Sequence, residues 1–422
     1  MTNLTARQAR TRYLVLLALR WFPTGLLLPV IALLPLERGL SVAELGIAAA
    51  VQGLVVLGLE LPTGGLSDSL GRRPVLLAAG VFGLISLMLL YVADSVALFA
   101  AAFAVQGVYR ALDSGPLEAW YVDAVHAHDP GGDVTGGLSA GGTVIGLAIA
   151  GGALTGGGLV ALDPVAGVES LATPVLGAGA IGVIALATTV VLLTDVRAAR
   201  GWRAMAGSVR AVPHVVGGGL RLLRRSPVLT ALVCVELFWG FGMVTFETLM
   251  PVRLAEVSGG TGDAAALRGP AGAGAWAAAA TGAALAGLAA RWFSTALTAA
   301  ALRVLQGLTV AAMAVFAGPV GIVAAYLATY AVHGGSNPLH HSLLHQQVTG
   351  AHRTTVLSLN SMIAQPAGAV GLVVLTALAD GTSVRFAIVV GAVVLTLAAP
   401  LYLPAWRSQR DRSRHEAAPV GV

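Results

Sequence analysis

The 422-residue chain contains no lysine, a single cysteine and few charges: Asp, Glu and Arg together make up 11% of it. A soluble domain of this size carries about a quarter of its residues charged to cover its surface. The shortfall excludes an ordinary water-soluble protein and is natural for helices that face lipid. Cys234 stands alone within an apolar stretch, which excludes disulfides. No Ser/His/Asp set, cysteine-supported metal box or phosphate-binding loop occurs, so neither an enzyme nor a cofactor is expected. All 25 basic residues are arginine. With heavy use of Ala, Gly, Leu and Val, that bias is the mark of GC-rich coding sequence and points to a bacterial chain.

What the chain has instead is apolar length, with 56% of its residues hydrophobic. A bilayer core is crossed by roughly twenty apolar residues of helix. Such runs fall near 13–35, 42–66, 74–93, 96–122, 135–160, 173–195, 228–251, 271–292, 296–317, 319–346, 355–379 and 383–404. The reading is an all-α integral membrane protein of twelve transmembrane helices. Six-helix bundles are expected at 1–196 and 227–405, joined by a basic linker at 197–226 and followed by a tail at 406–422. The opening segment MTNLTARQARTR leads into a full-length apolar run, unlike the shorter core and small-residue cleavage site of a secretory signal. The first span is therefore expected to remain in the mature protein.

The arginines sort by side. With the N-terminus inside, 18 lie in inner segments: Arg7, Arg10, Arg12, Arg72, Arg73, Arg291, Arg353, seven in the linker and four in the tail. Only Arg38, Arg253, Arg268 and Arg385 fall in outer loops. Positive charge marks the cytoplasmic side, which places both termini in the cytoplasm of a bacterial inner membrane. The inner segment 123–134 departs from the rule with Asp123, Asp129 and Asp133 and no arginine, but acids weigh little in it. The linker, with no acid, reads as a topology anchor, or else as a surface for anionic lipid headgroups. Because the arginines lie in short segments between apolar runs, the basic balance reflects membrane orientation and not nucleic-acid binding.

An offset of 222 residues recurs three times at matching depth. Pro29-Val30 matches Pro251-Val252, Gly65-Leu66 matches Gly287-Leu288, and Ser114-x-Pro116-Leu117 matches Ser336-x-Pro338-Leu339. The three together indicate a parallel repeat of six helices plus six.

The loop after the second span reads Gly64-Gly-Leu66-Ser-Asp68-Ser-Leu-Gly71-Arg72-Arg73. Asp68 is placed to cap a cytoplasmic helix end, Gly71 permits a tight reversal, and Arg72 and Arg73 hold the loop inside. The segment resembles the signature loop of the major facilitator superfamily, G-x-L-x-D-x-x-G-R-[KR], and the twelve spans, the repeat and the linker extend the resemblance over the whole chain. In that family the loop aspartate sits against the start of the eleventh helix. Its arginine pairs with an acid at the cytoplasmic end of the fourth, and together they latch the outward-facing state. Asp68, Arg72 and Asp123 stand at the matching positions, and Arg353-Thr354-Thr355 opens the eleventh span. The second-half copy has lost its charges, with Ala290 for the aspartate and Ser294 and Thr295 for the arginines. Phe103 stands where the fourth helix usually carries an arginine, and Arg110 lies two turns further along nearly the same face. The fifth span has ten glycines between Gly136 and Gly158 but no proline, so it only loosely echoes the family's antiporter motif. Glu60-Leu-Pro-Thr-Gly64 together with Ser114-Gly-Pro-Leu-Glu-Ala-Trp120 resembles a bacterial branch of drug exporters.

Arg20, Arg110, Arg303, Glu60, Asp113, Glu118, Glu236 and Glu247 fall inside spans. Each costs roughly 2.5–3.5 kcal/mol at the bilayer centre, so they must pair, approach an interface or face a wet cavity. In the superfamily the first, fourth, seventh and tenth helices line a central cavity. That resemblance assigns to the cavity Arg20, Arg110, Asp113, Glu236, His333 and Asn337, with Trp239, Phe241 and Trp21 as aromatic walls. Arg110 and Asp113, three apart on one helix, read equally well as a local ion pair. Glu236 finds no partner within its own span and is the first candidate for proton coupling. Arg303 is placed to snorkel to the cytoplasmic face. Of the four histidines in the tenth span, His333 is taken as protonatable and the others as polar packing, with no metal site.

The expectation is a proton-coupled secondary transporter, a monomer that exports small amphipathic or drug-like molecules, with substrate, protons and membrane lipid as its partners. Proton symport importing a sugar, metabolite or organic anion is the alternative. A cysteine introduced at Ser208 or Ser413 is expected to react with a membrane-impermeant thiol reagent only from the cytoplasmic side. Labelling from outside intact cells would overturn both the orientation and the span count.

Overall fold

A computed structural model describes residues 4–64, 66–195, 217–218, 221–347 and 353–417. The side chains of Leu61, Pro62, Gly64, Asp68, Arg291, 353–359 and 412–417 lie outside that description, as do Arg197, Arg200, Arg203 and Arg210 of the linker. Among the described residues all regular structure is helical.

Thr5 opens the first helix, α1 (Ala6–Leu27), with a capping box: its hydroxyl accepts the Gln8 amide at 3.3 Å and Gln8 Oε1 accepts the Thr5 amide at 3.1 Å. The basic segment read as a leader to the span is thus its first turns. Turns around Pro29 end the helix earlier than the apolar run suggests, and α2 (Leu33–Glu37) takes up the remainder. The chain continues through α3 (Val42–Gly64), α4 (Leu66–Leu70), α5 (Arg72–Val92), α6 (Val96–Asp113), α7 (Pro116–His128), α8 (Thr135–Leu162) and α9 (Thr173–Leu192). The fourth span is broken into α6 and α7 because Gly115 turns at φ +91°, which glycine alone adopts freely, and Pro116 restarts the helix at its first position.

The second half holds α10 (Pro227–Val244), α11 (Met250–Ser258), α12 (Thr261–Trp292), α13 (Thr295–Val315), α14 (Pro319–Gln346), α15 (Arg353–Gly381), α16 (Val384–Leu397) and α17 (Leu403–Ala417). Pro251 lacks the amide that a helix needs. A π-turn at Thr245–Leu249 precedes it and carries α10 into α11 without a break. The seventh and eighth helices are therefore longer than their apolar runs, and this corrects two assignments. Arg253 and Arg268, expected in outer loops, lie on helices and are 3% and 1% exposed. Arg253 keeps its charge satisfied through Glu256 Oε2 at 2.8 Å and the Phe316 carbonyl at 3.2 Å. Residues 406–417, expected as a tail, belong to the helix α17.

Among the described residues twelve long helical stretches result, ten of them long and apolar enough to cross a membrane. The two that fall short are α1, with four arginines, and α14, with four histidines and Asn337. The chain is a multi-pass membrane protein.

Contacts divide it into two units, Met1–Val212 with Gly259–Ala273, and Pro213–Ser258 with Gly274–Val422. Within the first, α1 packs on α8 and α9, and α5 on α6 and α9. Within the second, α10 packs on α15 and α16, and α13 on α14 and α16. The partners are the same, helix for helix, which is the repeat expressed as packing. Small residues permit the approach: a Cβ on Gly152 of α8 would stand 2.9 Å from the Gly25 Cα of α1. Backbone cannot yield there as a flexible side chain would. Gly142, on the same helix, has nothing within 4 Å of its Cβ position. Gly152→Ala is expected to lower the thermal midpoint, by the roughly 1–3 kcal/mol typical of overpacking. Gly142→Ala should leave it unchanged or raise it, and equal behaviour of the two would refute the tight α1–α8 contact.

Candidate functional site

The loop between α4 and α5 is held by the far end of its own unit. Gly71 sits at φ +95°, and a Cβ there would also stand 3.2 Å from the Asp195 carboxylate. Asp195 follows α9 and accepts the Arg73 backbone amide at 3.1 Å, capping the N-terminus of α5 from across the chain. The Arg73 side chain donates to the Val190 carbonyl at 2.8 Å, and Trp120 Nε1 to the Thr194 carbonyl at 2.8 Å. Arg72 Nη2 lies 3.0 Å from Asp123 Oδ2 on α7, with both side chains largely buried. The side chains of Asp68 and of Arg353, Thr354 and Thr355 lie outside the described residues. Asp195 was not foreseen; as the sole acid between Glu169 and Glu236, ending a span beside an arginine pair, it offered a signal.

Deeper in the first unit, Arg20 of α1 is buried and paired with Asp113 of α6. Tyr109, one turn earlier on α6, is an electrostatic neighbour of the same carboxylate. This corrects the local-pair reading: Asp113 meets the buried arginine, whose charge has more need of it, and Arg110 is exposed with Glu60 as its electrostatic neighbour.

The second unit gathers a polar network from five helical segments. Glu236 of α10, His340 of α14 and Arg303 of α13 are 6%, 0% and 2% exposed. Glu236 Oε1 lies 3.2 Å from His340 Nε2, and Asn360 Oδ1 of α15 lies 3.3 Å from the same nitrogen. Both oxygens are acceptors when Glu236 is ionised, so Nε2 carries the proton. His340 Nδ1 faces the Tyr402 hydroxyl at 2.9 Å. Arg303 donates to Gln306 Oε1 at 2.8 Å and is an electrostatic neighbour of Tyr402. Glu236, without a partner in its own span, finds His340 on another helix. One expectation is corrected. Arg303 does not snorkel outward, because it is buried on the packed side of α13 with Glu236 to offset its charge.

A second group lies along α10, the π-turn and α14. Trp239 Nε1 donates to His333 Nδ1 at 3.3 Å, with the rings 5.4 Å apart and nearly parallel. An indole nitrogen only donates, so Nδ1 is unprotonated and His333 neutral in this arrangement. Tyr330 bonds the Glu247 carboxylate and meets Phe246 edge-on at 5.8 Å. Asn337 is exposed on α14.

The sequence model of the Major Facilitator Superfamily matches residues 13–334. The chain belongs to that superfamily. It is therefore a membrane transporter of small molecules and not an enzyme. No curated protein sequence matches it. Among solved structures it is similar to the nucleoside transporter NupG, at TM-score 0.76 and 11% identity over 94% of this chain and 98% of that one. A bacterial homologue of the human lysosomal transporter Spinster, inward-facing and occupied, gives 0.74 and 14% over 94% and 96%. The peptide transporter POT, in complex with sulfate, gives 0.65 and 14% over 94% and 95%. These likenesses carry the fold.

Arg72→Ala and Asp123→Asn are expected to couple in a double-mutant cycle of thermal stability by about 0.5–3 kcal/mol, the range for residues in contact. Strict additivity would show that this superfamily member gains nothing from the pair.

Proposed function

We propose that the chain is a proton-coupled secondary transporter that exports small amphipathic molecules by alternating access, with the Glu236–His340 pair holding the proton. The observation that carries this reading is the contact of a carboxylate and an imidazole inside packed protein, with Arg303 beside them. With Glu236 ionised and His340 neutral, the group balances Arg303. A further proton leaves one positive charge uncompensated where burial of charge is expensive. Protonation therefore favours whichever conformation relieves that charge, and a proton shifts an equilibrium only by such differential affinity. The same fold serves proton-dependent oligopeptide transporters, which supports proton coupling as within its reach.

By family resemblance α10 and α14 border the transport pathway, and the rings of Trp239, His333, Tyr330 and Phe246 suit an aromatic, amphipathic cargo. The latch reading of Asp68, Gly71, Arg72, Arg73 and Asp123 belongs to the same proposal, with Arg72 and Asp123 already in contact. Uptake of a polar metabolite is the second reading, favoured by the charged groups Arg20–Asp113 and Glu247–Tyr330.

The test uses a compound to which overexpression makes cells resistant in a panel of antibiotics and dyes. In proteoliposomes with an imposed pH gradient, wild-type protein should concentrate it against the proton flow. Glu236→Gln should abolish uphill transport while passive exchange persists. If Glu236→Gln still concentrates the compound, the coupling site lies elsewhere; if movement follows the proton, the chain is a symporter.

A further inference from the structure

We infer that Asp195, with Thr194 beside it, is a positioning residue for the pair Arg72 and Asp123: the end of α9 holds α5 and α7 at the separation at which the two charges meet. Its bearing on transport rests on the latch reading of that pair. The last carbonyls of a helix lack amide partners within it, and side chains of three other helices donate at this end of α9. Arg12 Nη1 of α1 reaches the Leu192 carbonyl at 2.9 Å, and Arg73 Nη2 of α5 the Val190 carbonyl at 2.8 Å. Just past the helix, Trp120 Nε1 of α7 reaches the Thr194 carbonyl at 2.8 Å. Leu193 is fully buried in one apolar cluster with Leu76 of α5 and with Leu117 and Trp120 of α7.

These contacts fall beside the two ions. Arg73 adjoins Arg72 on α5, and Trp120 lies about one turn before Asp123 on α7. Residues 190–195 therefore hold each helix next to its own member of the pair, which closes at 3.0 Å. An ion pair gains little when its ends are free to wander, because confining two long side chains to one geometry costs entropy. Helices already held in place reduce that cost. Asp195 completes the hold by accepting the Arg73 backbone amide at 3.1 Å. Gly71 lets the carboxylate come close, since a Cβ there would stand 3.2 Å from it. The backbone amide needs an acceptor and not a charge, so an asparagine oxygen serves in place of the carboxylate.

The readout is the coupling between Arg72→Ala and Asp123→Asn in a double-mutant cycle of thermal midpoint, on full-length protein in lipid nanodiscs, repeated in four further backgrounds. In Asp195→Ala the coupling should fall at least twofold, although neither ion has been altered there. Asp195→Asn keeps the acceptor and should keep the coupling. Trp120→Phe removes the bond to Thr194 and should cut the coupling as Asp195→Ala does; it decides the matter if Asp195→Ala does not fold. Gly152→Ala acts on the α1–α8 contact, so it should lower the midpoint and leave the coupling unchanged, which separates positioning from general loss of stability. Coupling that survives both Asp195→Ala and Trp120→Phe would overturn the inference and leave the ion pair standing. An equal loss in Gly152→Ala or Asp195→Asn would overturn it too. Absence of coupling in the wild-type background would instead remove the latch reading of the pair, and this inference with it.

Discussion

A charge buried away from water has to meet its opposite, and that constraint organises both units. Arg20 reaches across from α1 to Asp113 on α6, and Arg303 and Glu236 come from α13 and α10 to one buried cluster. Leaving one member alone would cost roughly 3–5 kcal/mol, comparable with the stability of a whole domain. Such pairs thus fix which helix faces align. A helix of apolar residues in lipid has little to choose between its faces; one carrying Arg303 has a single acceptable orientation.

Glycine sets how closely those faces approach. Gly25 and Gly152 let the backbones of α1 and α8 touch, and Gly240 and Gly371 occupy corresponding close approaches between α10 and α15. The polar pairs choose the orientation, and the glycines allow the distance at which hydrogen bonds of about 3 Å form. Neither suffices alone.

These two devices explain what was legible in the sequence. Apolar runs announced nearly every helix, because lipid demands about twenty such residues regardless of tertiary structure. They misplaced helix ends wherever polar residues continue a helix with partners supplied elsewhere. ARQARTR is secured by the Thr5 box, and the end of the seventh helix by Arg253 with Glu256. The signature loop was readable because its residues are contiguous. Its anchor Asp195 lies 122 positions from Arg73, and no local pattern joins them. For the same reason Glu236 looked solitary: His340, Asn360 and Tyr402 come from other helices, and each alone reads as an ordinary polar residue in an apolar run.

The repeat shows what the two halves share once their charges diverge. In the first, the helix after the signature loop receives its capping acceptor from Asp195, just beyond the sixth helix. In the second, where Ser294 and Thr295 replace the arginines, Ser294 caps α13 through the Leu297 amide at 3.2 Å. The Ala296 amide is then accepted at 3.3 Å by Gln409 of α17, near the end of the twelfth helical stretch. The fastening survives at equivalent places, made by a carboxylate in one half and a neutral amide in the other. The charged version also presents the pair Arg72 and Arg73 at its helix start, of which Arg72 meets Asp123. A contact between ions depends on what else carries charge nearby, whereas a bond between amides does not. The first half therefore keeps a fastening that its electrical surroundings can strengthen or weaken, and the second keeps one that only holds.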